Sequence, residues 1–528
     1  MNIYNYQIIL FVSLGKFLLL VTLLMIHLTL NYTGSLTYGF SLAVIGSVLG
    51  LDSFLQYFDL DSTSSRSTSV TGATSALFAA GCAIGALLTT YLADRLGRVK
   101  AVQGTCVLCI VSSALQGRSI HVAMFLVGRF FNGIGVGLML ALVPLYQCEI
   151  SPAEVRGRMV ASHGMLIVTG HALAAWTGYG CYFSTNPAFQ WRFELSAQAV
   201  APLLLILGTP FLPESPRWLA DKNRKEEAIL ILEKLHQDSY VLSPREGLMQ
   251  INREISHERE MGQMRGWKAM FKIPSYRKRL LFGCLTQFLC QSTGVLVVNN
   301  YQVMLYNGLG LYDSLPLLLY ACYLTCAAFM NFISSHLMDR VGRTRLLIGG
   351  LCGCSVAIIC EMAMVARFSG SDNKVGNGFG VFFLFLYVTI YGLCLDATCY
   401  VYCVEIFPNH VRAIGTLLSV FTQACATLVY TQAAPVAFGS VGWKYYFVFF
   451  LIPLAGVPFV WMYFPETKGR TLEEIGAAFG DDVAAVFLDG QNKVDREDLE
   501  AMDYGNKSGV DASGRETEKT SKSHAVDV

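Results

Sequence analysis

Charged residues in this chain are spaced so that long stretches carry none. Uncharged intervals run from Lys16 to Asp52, Arg66 to Asp94, Lys100 to Arg118, Arg129 to Glu149, Arg158 to Arg192 and Glu194 to Glu214. Six more run from Arg279 to Asp313, Asp313 to Asp339, Arg345 to Glu361, Lys374 to Asp396, Arg412 to Lys444 and Lys444 to Glu466. Most are close to or longer than the ~20 residues a helix needs to cross a hydrocarbon core. They predict an all-α membrane protein of twelve transmembrane helices, spans 1 to 12 in chain order. Composition agrees: 53% of the 528 residues are hydrophobic and 15% charged, against roughly a quarter charged in a soluble protein. A formal net charge of +1 provides no field to hold a polyanion, which excludes nucleic acid as a partner.

The sixteen cysteines are scattered through the apolar stretches rather than clustered in loops, so no disulfide framework is expected. Cys106 and Cys109 have C-x-x-C spacing without a second ligand pair; they read as buried small residues, and no metal or cofactor is expected. Met1 to Gln7 lacks the basic residues of a secretory signal, and the apolar run from Ile8 to Leu30 reads as a lengthening of span 1. Asn31-Tyr32-Thr33 matches a glycosylation acceptor but lies inside that apolar context.

Two stretches break the hydrophobic pattern. Residues 214–279 hold fourteen Lys plus Arg and ten acids among good helix formers. From Glu466 onward there are eight Lys plus Arg against fifteen acids, about −7 in all. The expected organisation is a six-helix bundle at 1–212, a cytoplasmic helical linker at 213–279, a second bundle at 280–465, and an acidic, largely disordered tail at 466–528 with an amphipathic helix near Leu472 to Phe479. Loops on one side hold nine basic residues (Arg95, Arg98, Lys100, Arg156, Arg158, Arg340, Arg343, Arg345, Arg412) against six on the other. That bias puts both termini and the linker in the cytoplasm.

The two halves repeat each other. Asp94-Arg95-Leu96-Gly97-Arg98 recurs as Asp339-Arg340-Val341-Gly342-Arg343; Glu149, Pro152 and Arg156 recur as Glu405, Pro408 and Arg412; Pro213-Glu214-Ser215 recurs as Pro465-Glu466-Thr467. Three motifs in one order at nearly one period indicate a duplicated six-helix unit, the organisation in which two bundles rock about a central site.

These residues, with Gly128-Arg129, Gly133-Ile134-Gly135-Val136-Gly137, Pro144 through Gly157, and Pro216-Arg217-Trp218, resemble the sugar porter family of the major facilitator superfamily in its fungal form. The resemblance covers about Tyr38 to Glu474 and implies two pseudo-symmetric six-helix bundles and no enzymatic activity. It also implies a secondary transporter in the plasma membrane, moving a monosaccharide or polyol by alternating access, with or without a proton, as a monomer. The alternatives are a non-transporting sugar sensor and a carrier of a cyclic acid such as quinate. Nucleotide hydrolysis is not expected, because the Gly-rich part of span 4 lacks a Gly-Lys-Ser/Thr ending; its glycines read as close helix packing.

The charged motifs suggest a gate. Tight Gly turns place Asp94 or Asp339 at a helix end and arginines near Glu149 or Glu405, so Asp94, Arg95, Arg98, Glu149, Arg156 and Glu214, with Asp339, Arg340, Arg343, Glu405, Arg412 and Glu466, are candidates to latch the halves on the cytoplasmic side. A static network that only orients the helices is the alternative.

Arg129 lies inside span 4, where an unpaired charge costs about 3 kcal/mol, so it needs a partner. Proton-coupled members of the family would supply an Asp on span 1 in a Gly-Tyr-Asp context. This chain has Gly39-Phe40-Ser41 instead. An acid appears on span 10, Asp396, where the family has Gly-Pro; it is a candidate for proton coupling, for substrate contact, or for a purely structural role satisfied by neighbouring Thr and Tyr hydroxyls. Sugar hydroxyls demand amides and aromatic faces. On span 7 the family pattern Gln-Gln-x-x-Gly-x-Asn reads Cys290-Gln291-Ser292-Thr293-Gly294-Val295-Leu296, with Asn299 and Asn300 one turn on. Substrate-binding candidates are therefore Gln291, Asn299, Asn300, His171 on span 5, Tyr400 on span 10 and Gln423 on span 11. The family's Asn on span 8 is Ala327 here, with Asn331 one turn away. Trp176 and Tyr301 read as packing or interface anchors.

Overall fold

The computed structural model describes residues 33–60, 65–150, 153–235, 267–368, 373–470 and 472–480. All regular structure among them is helical. Span 1 is α1 (Ser35–Val48), followed by the short α2 (Asp52–Tyr57). Spans 2 to 5 are α3 (Ser65–Leu96), α4 (Arg98–Gly117), α5 (Val122–Ile150) and α6 (Ala153–Tyr182); span 6 is shared by α7 (Pro187–Ala197) and α8 (Val200–Gly208). The charged connection contributes α9 (Pro216–Asp221), α10 (Lys225–Leu235) and α11 (Trp267–Lys272). Span 7 is α12 (Pro274–Ser292) with α13 (Val295–Gly308); spans 8 and 9 are α14 (Leu315–Val341) and α15 (Arg343–Phe368). Span 10 is α16 (Lys374–Cys394) with α17 (Asp396–Glu405), and spans 11 and 12 are α18 (Asn409–Ser440) and α19 (Tyr446–Tyr463).

Ten of these stretches are long and apolar enough to cross a membrane. The other two of the twelve are α1, which is apolar but short in its described part, and α6, which is long but diluted by His163, His171 and several glycines. Three spans break: span 6 at Gln198 and Ala199, and spans 7 and 10 in the second half. Gly294, at φ +85°, separates α12 from α13, and a side chain there would run into the Phe449 ring at 2.7 Å. Leu395 separates α16 from α17, so Asp396 opens a new helix rather than sitting in the middle of an unbroken one.

Small residues set the closest helix approaches. Carbon added at Gly133 or Gly137 of α5 would lie 2.3 Å from the carbonyl oxygens of Phe78 or Cys82 on α3. Only glycine permits this contact, and it fixes Arg129, one turn before Gly133, against α3. Within the first half α3 also packs on α5 through Gly81 and Gly85, and α1 on α6. In the second half α12 packs on α18 and α19, α14 on α16, and α15 on both α16 and α19. Across the halves α3 meets α18, α6 meets α14, and α1 meets α13. These crossings obey the duplication, because span 2 corresponds to span 8 and span 5 to span 11.

The charged connection folds α9 and α10 onto each other through Leu219, Ala220, Ala228 and Leu232. Ser215 caps α9 by accepting from the Trp218 N–H at 3.3 Å, and the Trp218 indole donates to the Asp94 carbonyl at 3.0 Å. The chain divides into a body ending at Lys468 and a separate unit from Gly469, whose described helix α20 (Leu472–Phe479) is the amphipathic one expected there. The run from Ile8 to Leu30, the Asn31-Tyr32 pair, residues 236–266 and the tail past residue 480 lie outside the described residues.

Candidate functional site

Duplicated charge clusters mark one face of the body. Gly97 (φ +92°) turns α3 into α4 and Gly342 (φ +105°) turns α14 into α15. The freed N–H groups at each helix start hold a carboxylate: Arg98 and Val99 donate to Glu214 at 2.8 and 3.4 Å, and Arg343 and Thr344 donate to Glu466 at 2.8 and 3.2 Å. This is the favoured place for an anion. A side chain on either glycine would strike that carboxylate at 2.7 or 2.6 Å. The Arg98 guanidinium forks onto Glu149 through two bonds of 2.8 Å and touches Asp94 at 3.2 Å. Arg343 reaches Glu405 and Asp339, each at 3.0 Å.

These ion pairs each lie within one half. The physical reason is connectivity: the Gly turn links two spans of one bundle, and the acid they face ends a third span of that bundle. The other basic candidates are peripheral. Arg95 donates to the Tyr91 hydroxyl at 2.6 Å, Arg340 is exposed with its carbonyl accepting from Lys468, and Arg412 donates to the Phe407 carbonyl at 3.3 Å. The side chain of Arg156 is outside the described residues.

On the opposite face the halves touch. The Tyr320 hydroxyl of α14 donates to the Ala43 carbonyl of α1 at 2.9 Å, the Asn300 amide of α13 donates to Ser75 of α3 at 3.3 Å, and the Trp176 indole of α6 donates to Thr325 of α14 at 3.0 Å. Gly46 gives room to Tyr320 and the Asn299 carbonyl, and Gly72 lies against the Gln432 carbonyl. Trp176 thus bridges the halves, a contact not anticipated from the sequence; Tyr301 is buried and donates to the Thr431 carbonyl of α18 at 2.9 Å.

Between the two faces lie most of the polar candidates. Gln423 donates to the Tyr400 hydroxyl at 2.7 Å, and its carbonyl oxygen is buried without a partner. Gln291 accepts from Thr427 at 3.4 Å. The Asn299 side-chain oxygen and the His171 Nε2 are buried and unpartnered. Asn300, by contrast, is engaged in the seam. α6 of the first half packs on α17, which carries Asp396 and Tyr400, so the first half borders this polar patch. Leu296 supplies an apolar wall with Tyr38 and Ile167.

Two buried charges find partners that sequence did not supply. Asp396 accepts from the Asn331 amide at 2.7 Å rather than from Thr or Tyr hydroxyls. The Asn331 amide also reaches the Ala327 carbonyl at 3.2 Å, which orients it toward the acid. Fully buried Arg129 donates to the main-chain carbonyl of Ser41 at 3.0 Å and stacks 4.3 Å from the Phe78 ring centre. Where the family places an Asp, the backbone of Ser41 and an aromatic face stand in; no carboxylate pairs with Arg129 among the described residues. Sequence reasoning missed Glu194, wholly buried on α7 with Ser47 of α1 as its partner. The signal was available, a lone acid between Phe193 and Leu195 inside an apolar span.

Comparisons with known proteins agree with this geometry. The family model described as "Sugar (and other) transporter" matches residues 28–479. The MFS-type transporter criB of Aspergillus cristatus is 31% identical over 84% of this chain and 90% of its own length. The high-affinity glucose transporter of Kluyveromyces lactis is 28% identical, covering 85% of this chain and 84% of its own. Among solved structures, the xylose transporter XylE of E. coli in a partially occluded inward-open conformation superposes with a TM-score of 0.71 at 23% identity, over 85% of this chain and 99% of that one, which is a likeness of fold.

Proposed function

We propose, from the premise that this chain belongs to the sugar (and other) transporter family, that it carries a monosaccharide or related polyol across the membrane by alternating access. The observation that carries the substrate class is a set of buried polar atoms without protein partners: the Gln423 carbonyl oxygen and the Asn299 side-chain oxygen, which accept, and the His171 Nε2, which accepts or donates by tautomer. Unpartnered buried polar atoms are costly, and a polyhydroxylated solute brings the partners they lack. Tyr38, Tyr400 and Leu296 offer the flat apolar surface that a sugar ring needs. Relatives named as glucose and xylose transporters support the same class.

Mechanically, the halves close the opposite face through Tyr320, Asn300 and Trp176. Rocking breaks these contacts and forms others on the charged face. The Arg98 and Arg343 clusters stiffen the ends of three spans in each half so that each moves as a body, and this is their part in gating. The charged face is the cytoplasmic one, which places both termini inside, and the protein works as a monomer in the plasma membrane.

Driving force is the solute gradient, with or without a proton. Span 1 lacks its acid, so Asp396, held by Asn331, is the acid placed to couple a proton at the centre. Uptake in proteoliposomes across a panel of hexoses, pentoses, polyols and quinate, with and without a pH gradient, tests this. Sugar or polyol accumulation driven by the pH gradient, abolished in Asp396→Asn while equilibrium exchange persists, is the outcome expected for coupling. Pure equilibration in both proteins assigns a facilitator, and no flux of any solute returns the protein to the sensor class. Arg129, a cation with no carboxylate partner among the described residues, favours quinate as the second reading.

A further inference from the structure

Glu194 is a carboxylate that the transport reading leaves unused. It sits on α7 with 0% exposure, inside an apolar span, with Arg192 and Gln198 within about one turn of it along the chain. One of its oxygens contacts the Ser47 hydroxyl of α1, and the other has no partner. No cation pairs with it among the described residues. An ionised carboxylate in such a place costs several kcal/mol.

Hydrogen counting identifies the form it takes. The Ser47 hydroxyl lies 3.0 Å from the Val44 carbonyl as well as against Glu194. A serine has one proton to give. Ser47 therefore gives Glu194 at most one donor, too little to balance the burial of an ionised carboxylate, so the neutral acid is the form that fits the closed seam.

The acid is also built into the seam. Ser47 and Gly178 of α6 lie directly against it, and Gly178 has no room for a side chain, with Ser47 at 2.6 Å and the Glu194 carboxylate at 2.8 Å from an added carbon. Tyr320 of the second half donates to Ala43, one turn before Ser47, and its hydroxyl fills the space beside Gly46, the residue next to Ser47. Other groups facing it are few. From α6 comes Cys181; from α2, Tyr57 meets Arg192 instead, and from α4, Gln116 meets Gln198. The acid therefore stands where α1, α6 and α7 of one half are covered by α14 of the other.

We infer that Glu194 is a proton-operated latch of the face opposite the charge clusters: the seam closes over its neutral form, and ionisation of Glu194 holds the seam open. When Tyr320 withdraws, water reaches the carboxylate and its proton leaves to solvent; closure requires the proton to return. This goes beyond the substrate reading, and it holds whichever solute is carried.

The test is a cross-link across the seam in the purified full chain, which needs no solute. Trp176→Cys with Thr325→Cys, treated with a short bifunctional maleimide, reports closure above the background of the chain without this pair. Cross-linking is expected to fall as pH rises, the closed-to-open ratio changing by about tenfold per pH unit beyond the midpoint for one proton. Adding Glu194→Gln, a permanently neutral mimic, is expected to hold the yield high at every pH. A yield independent of pH with Glu194 intact, or a titration that survives Glu194→Gln, overturns the inference. Should Glu194→Gln not fold, Ser47→Ala keeps the acid and removes its one donor; a midpoint displaced to higher pH supports the latch, and a midpoint unmoved or displaced to lower pH overturns it.

Discussion

The two charge clusters descend from one repeated motif, yet they are not equally tight. Arg98 grips Glu149 with two bonds of 2.8 Å, and both side chains are 8% exposed. Arg343 makes one bond of 3.0 Å to Glu405, whose side chain is 28% exposed and whose other oxygen accepts from Thr467 at 2.6 Å. A bidentate, desolvated pair loses much when broken, whereas a half-open single bond loses less. Duplication preserved the residues, and the packing of each bundle then made the first clamp rigid and the second looser.

The largest predicted effect breaks this comparison directly. Arg98→Ala leaves Glu149 buried and unpaired and is expected to cost about 3–5 kcal/mol, seen as a large drop in thermal unfolding temperature of the purified protein. Arg343→Ala, with a more exposed partner and Thr467 still bonded to it, is expected to cost clearly less; equal losses would erase the asymmetry. Next comes Gly97→Ala against Gly342→Ala. Each forces a side chain into positive φ against a carboxylate, at about 1–2 kcal/mol for the backbone alone, and both should lower stability similarly because the turns match. A difference as large as that between the two arginines would move the asymmetry from the ion pairs to the turns. The smallest effect separates the caps: Thr467→Val removes one bond to Glu405, about 1 kcal/mol, and should widen the cost of Arg343→Ala made on top of it, because Glu405 then loses both partners, without touching the first half.

Much of this architecture was legible in the chain. Spacing of charges against bilayer thickness placed the spans, and the repeated Gly turns located both clusters. Gln423 meets Tyr400 at 2.7 Å, and Gln291 meets Thr427, one turn beyond Gln423 on α18. Asn300 was legible as a polar residue near the centre, but one turn beyond the break at Gly294 it reaches Ser75 in the seam. The missing acid on span 1 was equally legible, but not what replaces it.

Hydropathy, turn chemistry and duplication are properties of short windows, so sequence by itself determined the helices, their order and the twofold plan. Partners of buried polar groups were decided only in the tertiary structure. Arg129 and the Ser41 carbonyl lie 88 residues apart, Asp396 and Asn331 lie 65 apart, and Glu194 and Ser47 lie 147 apart. Whether such groups meet depends on the rotation and depth of whole helices, which close packing through glycine ridges sets. No local pattern encodes that.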